Sequence, residues 1–222
     1  MSDLTPTTRS RVKRLHERGA YDFDTIAAIL DAGLLCHVGY VIDGQPYVTP
    51  TAYWREGDHV YWHGSTASRM LRVLEKGADV CFTASHLDGL VLARSGFNHS
   101  INYRSVMLFG HARKIEDEAA KLRALESFLE HMFPGRWQQL RPATTQEIKA
   151  TTVLGMAIEE GSAKVRTGWP HDDEDDYSWP VWAGVVPIQA VVRPPLPDER
   201  LVGAREPPGY LADLTHLGLK AR

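Results

Sequence analysis

The sequence predicts an α+β fold built mainly from antiparallel strands, and three observations indicate it. Apolar, β-branched and aromatic runs follow one another across tight turns, few helical segments separate them, and no GxGxxG motif follows a strand. A doubly wound parallel sheet would instead alternate each strand with a helix. We therefore expect a hairpin-rich sheet with a small number of flanking helices.

The first third of the chain carries the clearest local signals. Residues 22–33 predict a helix because their apolar residues recur on one face. The pair Asp43-Gly44 between apolar flanks predicts a β-hairpin, since both turn positions favour a positive φ. A second tight turn is expected at residues 56–58. Three antiparallel strands in meander order should result.

Later segments continue the same alternation of strands and helices. A short helix is expected to follow "HGSTASR", with Gly77 as its end, and the segment 96–102 should be a loop. The strand-like segments are residues 78–95, 103–117 and 152–168. Residues 116–135 predict a helix with an apolar face formed by Leu122, Leu125, Leu129 and Met132. Residues 144–151 predict a short helix with Thr145 as a candidate cap.

Composition excludes several classes of function. The chain has 222 residues, 43% of them hydrophobic, with 25 Lys and Arg against 28 Asp and Glu. A net charge of −3 gives no general attraction to nucleic acid or anionic membranes. No apolar run is long enough to span a bilayer, and the N-terminus lacks the apolar centre of a secretory signal. Cys36 and Cys81 have no metal-ligand or disulfide spacing, so a cytoplasmic protein with reduced thiols and no bound metal is expected.

Motifs of several enzyme classes are absent from the sequence. GxxxxGK[ST], HExxH, CxxC and GxSxG do not occur, which lowers the prior for nucleotide hydrolases, zinc proteases and common esterases. Enzymes whose site residues are scattered along the chain are not excluded by this.

The junction "HGSTASR", residues 63–69, is a candidate phosphate site. Unpaired N–H groups at a helix start attract anions, Gly64 lets the backbone approach closely, and Ser65 and Ser68 carry hydroxyl groups. Arg69 offers a planar fork that matches phosphate oxygens. The alternative is that Ser65 merely caps the helix and Arg69 is solvated.

The strand "YVTPTAYW" is a candidate wall for a planar ring. Pro50 inside a strand removes a ladder donor, which places it at an edge or where another group approaches. Thr49, Thr51 and the backbone beside them could then bind a heterocycle. An ordinary edge strand is the alternative, and Tyr53 could equally be a core aromatic.

Taken together, four segments resemble the flavin-nucleotide-binding branch of the pyridoxamine 5′-phosphate oxidase-like superfamily, which includes the nitroimidazole-resistance proteins. They are "AGLLCHVGYVIDGQPYVTPTAYW", "VYWHGSTASRMLR", "NYRSVMLFGHARKIED" and "SAKVRTGWPHDDEDDYSWPVWAGVVP". The resemblance implies an antiparallel split β-barrel of the FMN-binding type with flanking helices. It also implies a homodimer with FMN at the subunit interface. Residues 1–190 would form this domain, and 191–222 a Pro-rich tail packed on the body or on the partner subunit.

The resemblance also assigns candidate site residues. The residues implied to lie along the isoalloxazine ring are Pro50, Thr51, Ala52 and Tyr53. Those implied around the ribityl chain and phosphate are His63, Gly64, Ser65, Ser68 and Arg69. Arg104 and Ser105 match a strand that reaches the flavin, and Trp182 matches a covering aromatic segment. Met70 stands where many relatives have lysine, so Arg104 or Arg72 would supply the missing charge.

The implied function is an FMN-dependent oxidoreductase. Electrons would pass from reduced nicotinamide, NADH or NADPH, through FMN to a small acceptor such as a nitroaromatic, a quinone or oxygen. His63 is the candidate catalytic residue, as a proton donor or hydrogen-bond partner. Two alternatives remain open, a non-catalytic flavin carrier or sensor and a haem-binding protein. The arginine–histidine pair of the true oxidases is not found near the C-terminus, so synthesis of the pyridoxal vitamer is not expected.

Overall fold

The computed structural model describes residues 2–203 and 206–221, so Met1, Ala204, Arg205 and Arg222 of the predicted domain and tail lie outside the described residues. The helices are α1 (Phe23–Asp31), α2 (Arg69–Leu74), α3 (Glu118–Met132) and α4 (Thr145–Ala150). The strands are β1 (Gly19–Ala20), β2 (Leu35–Ile42), β3 (Gln45–Glu56), β4 (His59–Ser65), β5 (Asp79–Leu92), β6 (Ser100–His111), β7 (Arg113–Lys114), β8 (Thr151–Ala157), β9 (Glu160–Arg166), β10 (Gly184–Pro187), β11 (Val191–Val192) and β12 (Lys220–Ala221).

Ten of these strands form one curled antiparallel sheet. Its order is β1-β9-β6-β5-β2-β3-β4-β8-β7, and β10 pairs with β5 off this path. Every pair in it is antiparallel, as expected for strands joined by short turns. The predicted α+β class, an antiparallel split β-barrel with flanking helices, is confirmed.

The predicted turns lie where the sequence indicates them. Asp43 and Gly44 have φ angles of 50° and 80°, and they join Ile42 to its cross-strand partner Gln45. Gly57 has a φ of 60° in the turn between β3 and β4. Residues other than Gly, Asn and Asp are disfavoured at these positive φ angles. The turn residues therefore determine the register of β2, β3 and β4.

The core lies inside the curled sheet and beneath α1 and α2. Alternate residues of the central strands, among them Val38, Phe82 and Leu108, are fully buried, together with Ile26 of α1 and Leu71 of α2. Each such side chain contributes about 1.5–3 kcal/mol through burial. The period-two pattern of the strands therefore separates a core face from an outward face.

The outward face of the sheet is unusually apolar. We call it the outer face and define it by Leu35, His37, Val41, Val48, Pro50, Thr83 and Met107. Leu35 is 57% exposed, Val48 67% and Met107 43%. Contiguous exposed apolar surface of this kind typically marks an interaction surface.

Two local predictions were wrong in detail. The expected loop 96–102 is shorter, because β6 begins at Ser100 and pairs with the end of β5 beyond a register shift between Leu87 and Gly89. The cap of α4 is Thr144 and not Thr145. The Thr144 hydroxyl accepts from the Glu147 N–H, and the Glu147 carboxylate accepts from the Thr144 N–H, which forms a capping box.

Helix α3 packs on the sheet through a narrow stripe. Ala124 is buried beside Trp54 and Val153, and the Lys121 Nζ donates to the carbonyls of Ile148 and Thr151. Lys121 thereby satisfies carbonyls at the end of α4. The predicted apolar face of α3 lies mostly beside this stripe and is only half-buried.

The C-terminal segment folds back onto the body. Leu217 is buried, the His216 Nε2 lies 2.9 Å from the His131 carbonyl oxygen, and β11 pairs in parallel with β12. Gly218 has a φ of 70° where the chain passes Ala32. Within residues 2–203 and 206–221, no helix is both long and apolar enough to cross a membrane.

Candidate functional site

The sheet opens into a split between β3 and β4, and this split brings two predicted segments together. Tyr53 and Trp62 are the last paired residues, beyond which β4 continues only along β8. The Arg69 guanidinium lies 4.5 Å from the Tyr47 ring, so both walls remain within side-chain reach. We call the space between residues 47–52 and 64–69 the split.

The wall formed by residues 64–69 presents donors that the helix does not use. Ser68 precedes α2 in an extended conformation, and its side chain does not cap the helix. The Ser65 hydroxyl accepts from the Ala67 N–H at 3.2 Å, and the Ser65 carbonyl accepts from Ser68. The first amides of any helix lack intrahelical acceptors, so those of α2 and the exposed Arg69 fork can face an anion.

Gly64 and Arg72 complete this wall. A Cβ at residue 64 would lie 3.2 Å from a Leu71 methyl group, so a larger residue would press on α2. The Arg72 Nε donates to the Thr66 carbonyl at 2.9 Å, which holds a second cation next to the loop. The Arg72 guanidinium is therefore held beside the loop that precedes α2.

The opposite wall is the free edge of β3. Residues 45–52 pair with β2 on one side and, within the part of the chain that the structure describes, with no strand on the other. Pro50 is exposed on the outer face, and Thr51 and Ala52 are half-buried beside it. The edge can therefore offer backbone groups to a flat ring.

Tyr53 belongs to the core, which corrects its assignment as a ring-contacting side chain. It is fully buried, and its hydroxyl donates to the Leu30 carbonyl at 2.5 Å. Burial raises its pKa, and the nearby Cys36 and Asp31 raise it further. The Tyr53 N–H donates to the Leu34 carbonyl at 3.1 Å, so neither its hydroxyl nor its N–H is available to a ligand.

The structure places the His63 side chain on the other side of the sheet. Its ring lies against Trp54 and against Phe128 of α3, with 4.8 Å between the His63 and Phe128 ring centroids. The Nδ1 atom is buried without a hydrogen-bond partner, and burial lowers the pKa of the imidazole. The His63 imidazole is therefore separated from Ser65, Ser68 and Arg69, although these residues follow it closely in the sequence.

Arg104 and Ser105 also have partners elsewhere. Arg104 makes a bidentate ion pair with Asp88, with both N···O distances 2.9 Å. The Ser105 hydroxyl donates to the Lys164 carbonyl at 3.2 Å. Neither contact places these residues at the split of their own chain, whereas the Arg72 guanidinium is held beside residues 64–69.

Trp182 lies in an exposed segment beyond the tip of the β5–β6 hairpin. It is 64% exposed, and its ring packs over Gly184 at the start of β10. Asp172 anchors this segment, because its enclosed carboxylate accepts from the N–H groups of Arg94 and Ser95 and pairs with the Arg94 guanidinium. Burial alone would raise the Asp172 pKa, but these donors outweigh it and the pKa is lowered.

A family model described as pyridoxamine 5′-phosphate oxidase matches residues 22–165, which include both walls of the split. That span is more than half of the chain. The chain belongs to the pyridoxamine 5′-phosphate oxidase family. The predicted resemblance is thereby confirmed.

Solved structures of related proteins agree with this membership. The flavocytochrome Anf3 from Azotobacter vinelandii is 51% identical, with 94% of this chain and 97% of that one covered at a TM-score of 0.90. A FAD and heme binding protein from Mycobacterium smegmatis is 35% identical, covering 87% and 95% at a TM-score of 0.84. A proposed 5-nitroimidazole antibiotic resistance protein from Bacteroides thetaiotaomicron is 24% identical, with 66% of this chain and 86% of that one covered. It shares the fold at a TM-score of 0.56. No curated protein matches the chain.

This member of the pyridoxamine 5′-phosphate oxidase family also has a cavity that sequence reasoning missed. It has a volume of about 930 Å³ and lies between α3, a short 3-10 helix (Trp137–Gln139) and α4. Its apolar lining includes Leu122, Leu125, Phe128, Leu129 and Trp137. The signal was present in the apolar face predicted for residues 116–135, which the sheet covers only in part. Within residues 2–203 and 206–221, no group of three or more His, Cys, Asp or Glu side chains is arranged to hold a metal ion.

Proposed function

We propose that the protein is a flavin-binding oxidoreductase whose flavin lies in the split. The observation that carries this is the divergence of β3 and β4 immediately beyond Tyr53 and Trp62. It leaves a free strand edge facing a segment that carries the Ser65 and Ser68 hydroxyls and the exposed Arg69. A flat ring with a phosphate arm has the matching chemistry, since the edge offers hydrogen bonds and the arginine offers charge.

The form of the flavin is a separate part of the proposal. The sequence resemblance implies FMN, whereas the Mycobacterium smegmatis relative is a FAD and heme binding protein. Both cofactors carry a phosphate next to the ribityl chain, so the donors at residues 65–69 suit either. We favour FAD because that relative is similar over 87% of this chain.

The flavin would supply the electron transfer, and the protein would bind and orient it. Arg69 would hold the phosphate, and the β3 edge would fix the plane of the ring. We propose reduced nicotinamide as the donor and a nitroaromatic, a quinone or oxygen as the acceptor. A carrier or sensor would need the same binding residues, so the distinction rests on whether NADH or NADPH bleaches the flavin anaerobically.

A homodimer is part of the same proposal. The outer face adjoins the split at Pro50 and exposes Leu35, Val48 and Met107 to solvent. Covering this surface with a second copy would remove apolar area from water and close the ring side of the split.

The visible absorption spectrum of the purified protein tests the proposal, together with mass spectrometry of any cofactor released by denaturation. A flavin band and a released mass of FMN or FAD are expected. A protein that stays colourless after incubation with both cofactors contradicts it.

Haem binding is a second candidate, favoured by the cavity beside α3. About 930 Å³ lies within the usual range of small-molecule sites, about 300–1,000 Å³, and the lining is largely apolar. Arg123 at its border could pair with a propionate, whereas Arg141 is already held by Glu147. The two relatives above 30% identity that are described above are a flavocytochrome and a FAD and heme binding protein.

The donor set fits haem only through His63. The lining contains no His, Cys, Met or Tyr, and the imidazole of His63 packs on Phe128, which does line the cavity. A neutral imidazole with an unpaired nitrogen is a suitable iron ligand, and burial favours the neutral form. Haem titration should give a Soret band that His63→Ala abolishes and His59→Ala preserves; an unchanged band in the first variant contradicts this assignment.

A further inference from the structure

His37 occupies the centre of the outer face. In an antiparallel sheet, directly opposite residues point to the same side. Pro50 lies opposite His37 on β3, Thr83 lies opposite it on β5, and Met107 lies opposite Thr83 on β6. These four residues form one row across the sheet, starting at the flavin wall proposed above.

His37 and its two neighbours in the sequence point to opposite sides of the sheet. Cys36 and Val38 before and after it are fully buried in the core. His37 itself is exposed, with Leu35 on the same strand and Val48 on the next strand exposed beside it. An imidazole therefore projects from the middle of an apolar surface.

Covering this surface creates a requirement for a polar partner. An imidazole that loses its water without gaining a hydrogen bond is destabilising, and buried polar groups in proteins are almost always paired. The other side chains of its row, Pro50, Thr83 and Met107, include one hydroxyl and no charged group. Whatever covers the outer face must then offer His37 a donor or an acceptor.

A flavin ring placed along the β3 edge offers both kinds of group. Its pyrimidine portion carries carbonyl oxygens and an N–H. His37 on β2 lies one strand spacing from Pro50 on the β3 edge. We propose that His37, and not His63, is the imidazole that hydrogen-bonds the flavin ring. This rests on the proposed flavin function, and it holds whether the ring belongs to the same subunit or to the partner.

The test compares two substitutions at residue 37 in the full chain. His37→Phe keeps a flat side chain on the apolar face but removes the hydrogen bond, whereas His37→Gln keeps a donor and an acceptor. His59→Gln is the matched control, because His59 lies at the far end of β4 beside Asp58. FMN and FAD are each titrated into flavin-free protein, and flavin fluorescence and the position of the visible band are recorded.

We expect His37→Phe to weaken flavin affinity about tenfold, the effect of one lost hydrogen bond, and to shift the visible band. His37→Gln and His59→Gln should stay within about threefold of the wild type. Circular dichroism and sedimentation of each variant establish that fold and association state are kept.

Two results would overturn the inference, and they differ. If both variants at residue 37 bind FMN and FAD like the wild type and show the same band, His37 does not contact the ring, and the flavin function stands. If the wild type takes up neither cofactor, the flavin function fails and the role of His37 fails with it.

Discussion

Single residues decide what the split can hold. Arg69 is exposed and makes no ion pair among the described residues, in contrast to Arg104, whose guanidinium is held by Asp88. Tyr53 and His63 lie within the quoted motifs, yet one belongs to the core and the other to the α3 side. Adjacent residues of a strand face opposite ways, so a motif read along the sequence mixes two surfaces.

The double substitution Arg69→Gln with Ser65→Ala should weaken flavin binding. Loss of a charge-assisted hydrogen bond removes about 1.5–3 kcal/mol, which corresponds to roughly 10–150-fold in affinity. Fluorescence titration with FMN and FAD measures the effect, and Arg11→Gln, on an exposed segment, is the control. Unchanged affinity in the double variant would exclude the split as the phosphate site.

Tyr53→Phe should affect stability and leave flavin binding unchanged. The variant removes the hydroxyl that donates to the Leu30 carbonyl, which keeps its backbone partner at the end of α1, so the loss is that of one hydrogen bond, about 0.5–1.5 kcal/mol. Urea unfolding followed by circular dichroism measures the loss. A large drop in flavin affinity without a change in stability would return Tyr53 to the site.

At the level of elements, the sequence was sufficient wherever a local signal decides the structure. The hairpin at Asp43-Gly44 and helix α1 are set by turn chemistry and apolar period, and both are found as expected. Contacts between distant residues carry no such signal. The Arg94–Asp172 anchor joins residues 78 positions apart, and no local pattern marks either partner for the other.

The cap of α4 gives a prediction at this scale. Thr144→Ala should lower the free energy of unfolding by about 1 kcal/mol, whereas Thr145→Ala should change it little. Guanidinium unfolding of the two variants measures the difference. A larger loss for Thr145→Ala than for Thr144→Ala would place the cap at Thr145 instead.

The same cap predicts a pH dependence. The Arg141 guanidinium and then the Thr144 donors lower the pKa of Glu147 from an ordinary 4.5 to about 2. Because the folded-state pKa is the lower one, its stabilisation is complete above pH 4.5 and is lost as the pH falls toward 2. The difference in stability between the wild type and Glu147→Gln should shrink over that interval, and a constant difference would contradict the assignment.

For the whole molecule, the shape follows from one curled sheet that splits where β3 and β4 diverge. Burial of alternate strand residues produced the predicted core, and the residues left over produced the outer face. The sequence could not show that this face is continuous, because its members come from four strands whose order depends on the fold.

Val48→Asp tests the proposed dimer. A carboxylate at this 67% exposed position should be tolerated in a monomer, but it would be buried without a partner between two copies. Sedimentation velocity should show a dimer for the wild type and a monomer for Val48→Asp, which should also bind flavin more weakly. Val202→Asp, at an exposed position in the tail, is the control and should remain a dimer. A Val48→Asp protein that sediments like the wild type would exclude this face as the interface.

The two thiols lie on opposite sides of the sheet. Cys36 is enclosed, and burial raises its pKa to about 12, whereas Cys81 is half-buried and lies opposite Gly39 and Phe109 on the outward side. An alkylating reagent should therefore modify Cys81 and spare Cys36 in the folded chain. The rate of Cys81 alkylation therefore measures whether a ligand or a second copy covers the outer face, without a label or a substitution.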